Sequence, residues 1–471
     1  MTHLPLSRAR GRKASSFPTV GYGVATVCGV LLMIAAVWGV ELNESWPAWK
    51  VAFSAIAVWG LNLILVYYVI GPPFAFSRPV ILSVTFAFLM TVLGSGSYWA
   101  TTQLFPLYRV FIERAALFVA LCTCLSLIGC ISTMKLVTAK PAVVRQRYMW
   151  DWGRLRFATY LLFAVCVLGT YMTIQKIGYI PALLGDPESQ RVEFPTIAGV
   201  WFRLSMLGMV VGLIAGAQVC AGGASWLVWV MGASGIACAS LYGNRFFAAL
   251  PIAAIVLLWD QVRRRFSVRT VFLGLVLGLP ALALFFFWRQ QDQSVYVLGP
   301  VGLILYGTLS EFRDLAWTLD YYSSGAHSLL HGSTLGGLVV PLVPSVLWST
   351  VGVDKGAVFA HSNASVLAQE MGRVTAQRVG VYGELFMNFG WVGAAFGALV
   401  YGLLIGYLDR RFLDLRDSRQ VRSVIVAVVV AAAVYAQVGQ WNMFTSAVVS
   451  SVYPILLLAL FTARREPRAA A

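Results

Sequence analysis

The run Arg378-Val-Gly-Val-Tyr-Gly-Glu384-Leu-Phe-Met-Asn388-Phe-Gly390 closes the one long stretch of this chain that does not read as membrane. That stretch, residues 289–384, carries three of the four histidines (His327, His331 and His361) and a scatter of Arg, Asp and Glu. On both sides of it the sequence turns apolar. The chain of 471 residues is 59% hydrophobic and only 11% charged. A soluble protein of this length needs more charge to cover its surface, so the class is an all-α polytopic membrane protein.

Outward from that stretch, apolar runs occupy residues 20–40, 50–70, 80–98, 115–134, 157–176, 201–221, 225–242, 246–260 and 270–288, then 385–407, 423–440 and 445–462. Most are close to the ~20 residues that cross ~30 Å of hydrocarbon. This predicts about twelve transmembrane helices and one long external loop, with both termini on the same side. The first run is longer than a signal-peptide core and lacks a cleavage site, so it reads as a retained helix. Three regions follow: 1–288 with nine helices and short loops, 289–384 as the large loop, and 385–471 with three helices and a tail.

Charge sets the orientation. The net charge is +16, and the basic residues gather in short segments such as Arg263-Arg264-Arg265 and Asp409-Arg410-Arg411. With the termini inside, most Lys and Arg fall in inside loops, as the positive-inside rule requires. The loop 289–384 is then external, which means periplasmic in a Gram-negative cell. Membrane orientation accounts for this charge better than nucleic acid does, since no basic cluster sits in a soluble module.

Several chemistries find no support. All seven cysteines lie in apolar runs, away from histidines at ligand spacing, so they read as small packing residues. His327 and His331 are four apart but lack a partnering Glu or third ligand, so no metal site emerges. No nucleophile elbow, P-loop or dinucleotide fingerprint occurs in context. No internal repeat and no mid-span Asp, Glu or Lys marks an ion-coupled pathway. Asn62, Gln437 and Gln440 read as interhelical hydrogen-bond partners.

Three external elements could carry chemistry. The loop Lys176-Ile-Gly-Tyr-Ile-Pro181 to Glu193 holds Arg191, which suits either a lipid phosphate or a salt bridge to Glu188 or Glu193. Arg245, in the tight turn Gly243-Asn244-Arg245, either snorkels to phospholipid headgroups or holds a pyrophosphate. In the large loop, Arg313, His361, Arg373 and Arg378 precede Glu384, which stands at the mouth of the tenth helix. There Glu384 is either a chemical base or a cap favoured by the helix dipole.

Lys176-Ile-Gly-Tyr-Ile-Pro181…Arg191, then Gly243-Asn244-Arg245 and the run Gly380-x-x-Gly383-Glu384-Leu-Phe-Met-Asn388-Phe-Gly390-Trp-Val-Gly393, resemble the Wzy-type oligosaccharide repeat-unit polymerases of O-antigen and exopolysaccharide synthesis. The resemblance covers most of residues 157–407. It implies a GT-C-like glycosyltransferase that needs no metal or other cofactor. Such an enzyme moves a growing glycan from undecaprenyl pyrophosphate onto the next lipid-linked repeat unit, at the periplasmic face of the inner membrane. Donor and acceptor are both undecaprenyl-pyrophosphate-linked oligosaccharides, and a chain-length regulator and a flippase are expected partners. The resemblance puts Arg191 and Arg245 on the pyrophosphate, with Arg313, Arg373 and Arg378 as further candidates, and Glu384 or His361 as base. Two alternatives remain: the related glycan ligase, and a lipid-oligosaccharide flippase or transporter.

Overall fold

A computed structural model describes residues 48–70, 77–101, 112–136, 148–181, 194–222, 224–242, 245–263, 310–323, 327–339, a few single positions, and 379–465 apart from Arg416, Val438 and Gln440. The described chain is helical apart from one two-stranded sheet. Five helices are long and apolar enough to cross a membrane, and five shorter ones are apolar. These ten coincide with ten of the apolar runs in the sequence. The runs at 20–40 and 270–288 lie outside the described residues, or nearly so. The chain is thus a multi-pass membrane protein.

In order, α1 spans Ala48–Ile70, α2 Pro79–Thr101, α3 Ile112–Leu136 and α4 Trp152–Ile177. The ends of α4 follow from local chemistry. Asp151 accepts hydrogen bonds from the amides of Gly153 and Arg154, and Gly178 closes the helix in the left-handed region at φ 86°. The run read as one span at 201–221 comprises α6 (Val200–Ser205) and α7 (Gly208–Ala221), and is preceded by the short α5 (Phe194–Ala198), with Gly199 at φ 56° between α5 and α6. Then come α8 (Trp226–Ser240), α9 (Arg245–Val262) and α10 (Ser310–Ser323). A 3-10 turn at Ser333–Leu335 leads into a short α11 (Gly336–Val339). The chain closes with α12 (Gly380–Leu413), α13 (Val421–Ala436), α14 (Trp441–Ala447), a π-turn at Val448–Val452 and α15 (Tyr453–Thr462).

The core forms where α12 crosses α3. Lipid gives helices no hydrophobic reason to associate, so close approach and hydrogen bonds must hold them together. Ser126 donates to the Ala398 carbonyl at 2.8 Å, Cys130 to Gly402 at 3.1 Å and Thr133 to Leu403 at 3.1 Å. A Cβ on Gly402 would sit 2.0 Å from the Ser126 carbonyl oxygen, and one on Gly129 2.3 Å from that of Leu399. Gly402→Val is therefore expected to cost about 3 kcal/mol or more by forcing the backbones apart. Thermal melting of the detergent-purified protein checks this.

Loop contacts sort into two opposite ends. At one end Arg78 grips Asp409, with Nε–Oδ1 at 3.2 Å and a terminal nitrogen on Oδ2 at 2.5 Å. Strand β1 (Tyr148–Trp150) pairs antiparallel with β2 (Ala463–Arg465), and the Trp150 amide bonds to Arg419. Arg464 meets Asp151 at 2.5 Å, Gln261 reaches the Leu413 and Leu415 carbonyls, and Arg263 binds the Cys220 carbonyl. Every one of these residues belongs to, or directly borders, a segment that the charge pattern places inside. The other end gathers α10, the 327–339 segment, the start of α12 and the turn after α13.

Among the described residues, six cysteines form no disulfide, and Cys130 and Cys166 donate to backbone carbonyls as packing residues do. Asn62 donates to the Ala120 carbonyl, and Gln437 accepts from Ser83, both between helices as expected.

Candidate functional site

Helix α10 lies across the end opposite the arginine-rich one. Its sequence SEFRDLAWTLDYYS places Phe312, Leu315, Ala316, Leu319 and Tyr322 on one face, and all five are buried against α2, α3 and α12. Part of the 289–384 stretch is therefore packed into the bundle as a helix. On its outer face Trp317, Tyr321 and His327 stack, the last two 3.5 Å apart and nearly parallel. Burial pushes the Asp320 carboxyl up from its ordinary value, while the Arg114 guanidinium pulls it back. Asp314, on the same helix, is buried.

The motif helix α12 is broken. Gly390 adopts φ 65° and ψ −158°, a region open to glycine alone. The break frees the last carbonyls of the first half-helix, and the 327–339 segment takes them up. The Leu330 amide donates to the Met387 carbonyl at 2.9 Å and the His331 amide to that of Asn388 at 3.0 Å. The Asn388 side chain completes the stitch. Its oxygen accepts from the Gly332 amide at 2.9 Å, and its nitrogen donates to the Thr334 hydroxyl and the Glu384 carbonyl, both at 2.6 Å. His331 is held at φ 46°, unusual for a residue with a side chain. Both His327 and His331 are exposed, as loop histidines are expected to be.

This strap covers Glu384, which is 3% exposed. Its Oε2 accepts the Trp441 amide at 3.0 Å, and the Thr334 hydroxyl also reaches the carboxylate. Helix α12 starts at Gly380, so Glu384 lies in its second turn rather than at its mouth. The carboxylate caps the start of α14 instead of its own helix. Nearby, Val379, Tyr382, Leu315, Met90 and Gln437 line a narrow cavity. The Gln437 Nε2 and Trp441 Nε1 have no hydrogen-bond partner in the structure, and both belong to the turn that Glu384 anchors.

Asn388→Ala removes the acceptor of the Gly332 amide and one anchor of Thr334. Hydrogen exchange at Gly332 is expected to speed up by about tenfold, while exchange inside α3 stays unchanged. Mass-spectrometric exchange over Leu330–Leu335 checks this.

The described residues that border the arginine-bearing loops are held by aromatic contacts. Tyr242 is fully buried, with the ring of Phe202 5.0 Å away and that of Phe194 6.0 Å away. Arg245 opens α9 three residues after Tyr242, and Phe194 follows Arg191 by three. Phe246 packs at 5.1 Å on Tyr435, two residues before Gln437. Two separate aromatic groups thus border these positions: Phe194 and Phe202 on Tyr242, and Phe246 on Tyr435.

Of the other candidates, Arg313 lies on α10 between the buried Phe312 and Asp314. Arg191, His361, Arg373 and Arg378 lie outside the described residues. The sequence did not single out Thr334, Trp441 or the break at Gly390 as parts of this site. Among the described residues no cluster of three or more His, Cys, Asp or Glu is grouped to hold a metal ion.

No protein-family model matches the chain, and no curated protein or solved structure matches it either.

Proposed function

We propose that this protein polymerises lipid-linked oligosaccharide repeat units at the external, periplasmic face of the bacterial inner membrane. The motif resemblance suggests the reaction. The observation that carries it is the motif helix itself: its break at Gly390 is stitched to residues 330–334, and beneath that strap the Glu384 carboxyl is buried.

In the proposed step a hydroxyl on the non-reducing sugar of the incoming repeat unit attacks the anomeric carbon of the growing glycan. The bond from that carbon to the carrier pyrophosphate breaks, and the pyrophosphate leaves on its lipid. The hydroxyl proton passes to Glu384. The leaving group gains negative charge, and guanidiniums at headgroup depth stabilise it strongly because water is scarce there. Arg191 and Arg245 fill this role, with Arg313, Arg373 and Arg378 as further ligands. Because the strap covers Glu384, the acceptor sugar must displace the Thr334 hydroxyl to reach it. His361 is the second candidate for the base.

Deleting the gene tests the reading, with the cell's polysaccharide and its lipid-linked intermediates examined by gel. Loss of polymer with single repeat units accumulating is the expected result. Finished polymer retained on the carrier lipid would instead indicate a ligase, and repeat units trapped on the cytoplasmic face a flippase.

A further inference from the structure

Arg203 is the fourth residue of the candidate span Val200–Ala221, and it is exposed. Among the described residues it has no ion-pair or hydrogen-bond partner. A guanidinium within a span is costly in hydrocarbon and marks a ligand or pathway unless it reaches water or phosphate.

Its surroundings say which. Helical spacing puts Val200 on the same side, 60% exposed, and Ile197, in the short helix before the Gly199 break, is 46% exposed. Beside them α4 presents Leu168 and Tyr171, exposed at 51% and 57%. The helices are close here, since a Cβ on Gly169 would touch Leu204 and Ser205 at 2.8 Å. Side chains on a helix lean back towards its N-terminus. For Arg203 that direction is towards Gly199 and the external end. Gly199 has no side chain, and even a Cβ there would meet nothing within 4 Å among the described residues. The backbone break at Gly199 thus leaves a clear route for the guanidinium to headgroup level. The preceding residue, Phe202, packs on Tyr242 three positions before Arg245.

An unpaired cation above an apolar, bilayer-facing strip fits one kind of ligand: a lipid with a long hydrocarbon tail and an anionic phosphate head. We infer that Arg203 is a further ligand for the carrier lipid's pyrophosphate, meeting it as it enters sideways from the bilayer beside α4 and α6. This rests on the function proposed above and adds a residue from a membrane span to its loop arginines.

The test uses the full-length protein in phosphatidylcholine nanodiscs, with farnesyl pyrophosphate as the probe and equilibrium binding as the readout. Arg203→Ala is expected to weaken binding by about tenfold or more, and Arg203→Lys by less, since the charge stays but the planar fork is lost. Farnesol should not bind measurably, and phosphatidylglycerol should not compete. Melting temperature should be unchanged in both variants, because Arg203 is exposed and unpaired. Should Arg203→Ala lower it, the contrast between the lysine variant and wild type decides.

Unchanged affinity in both variants would overturn the assignment while leaving the proposed function intact. Competition by phosphatidylglycerol at equal concentration would also overturn it, making Arg203 a general headgroup contact. Failure of the wild-type protein to bind farnesyl pyrophosphate at all would sink this inference together with the pyrophosphate site it rests on.

Discussion

Arg245→Ala is expected to lower polymer synthesis by about a hundredfold or more while the protein remains abundant and inserted. The magnitude follows from what one well-placed charged donor contributes to a developing anion. The structural cost should be near zero, for a reason specific to the position. Arg245 is the first residue of α9, where a positive charge opposes the helix dipole. A cation there does nothing for the helix itself, so its removal should leave stability unchanged or slightly raised, by about 0.3–1 kcal/mol. The amides of the same helix end favour an anion in front of them, which the guanidinium would share. Arg191→Ala should behave alike, and Arg245→Lys should recover part of the activity. Polysaccharide gels alongside immunoblots of the membrane fraction measure both quantities. Long chains persisting in both alanine variants would end the pyrophosphate role.

Glu384→Gln separates two duties of one side chain. The amide oxygen of Gln still accepts the Trp441 amide, so α14 keeps its anchor and folding stays close to wild type. What the amide cannot do is accept a proton. If Glu384 is the base, polymer synthesis falls by about 10²–10⁴-fold in a stable protein. Glu384→Ala also leaves the Trp441 amide without an acceptor at a site where Glu384 is 3% exposed. That should cost about 1–3 kcal/mol of stability, visible in melting. The pair is decisive together. A fully active Gln variant beside an unstable Ala variant would make Glu384 a structural anchor only and move the search for the base to His361.

Much of the fold was legible because bilayer thickness imposes a length on apolar runs, and positive charge marks the inner loops. The contact of Arg78 with Asp409, and of residue 149 with residues 420 and 464, joins segments that charge had already grouped. What the sequence concealed was non-local. Residues 385–407 read as one uninterrupted span because Gly390 sits among apolar neighbours. Its break has meaning only once Leu330 and His331 arrive to satisfy the freed carbonyls. The same helix extends beyond the apolar run at both ends, taking in Glu384 and Asp409, each neutralised or capped by a distant partner. Charged residues so placed look like loop to any hydropathy window.

The partnership of residues 148–150 with residues 463–465 carries a consequence for how this molecule is made. While the ribosome is still at work, helices can enter the bilayer one after another, but their inner ends have no such fastening. The strand that pairs with Tyr148–Trp150 does not exist until Arg465 has been synthesised. Assembly therefore ends with a latch: the last strand docks beside one made more than half a chain earlier, and Arg464 settles on Asp151. Until then α4 and α15, whose bilayer-facing sides are the least covered of the long helices, are free to reposition against their neighbours. A chain stopped before Ala463 would hold every described apolar helix yet lack this latch. Quality control by membrane proteases would meet it as an unlatched bundle.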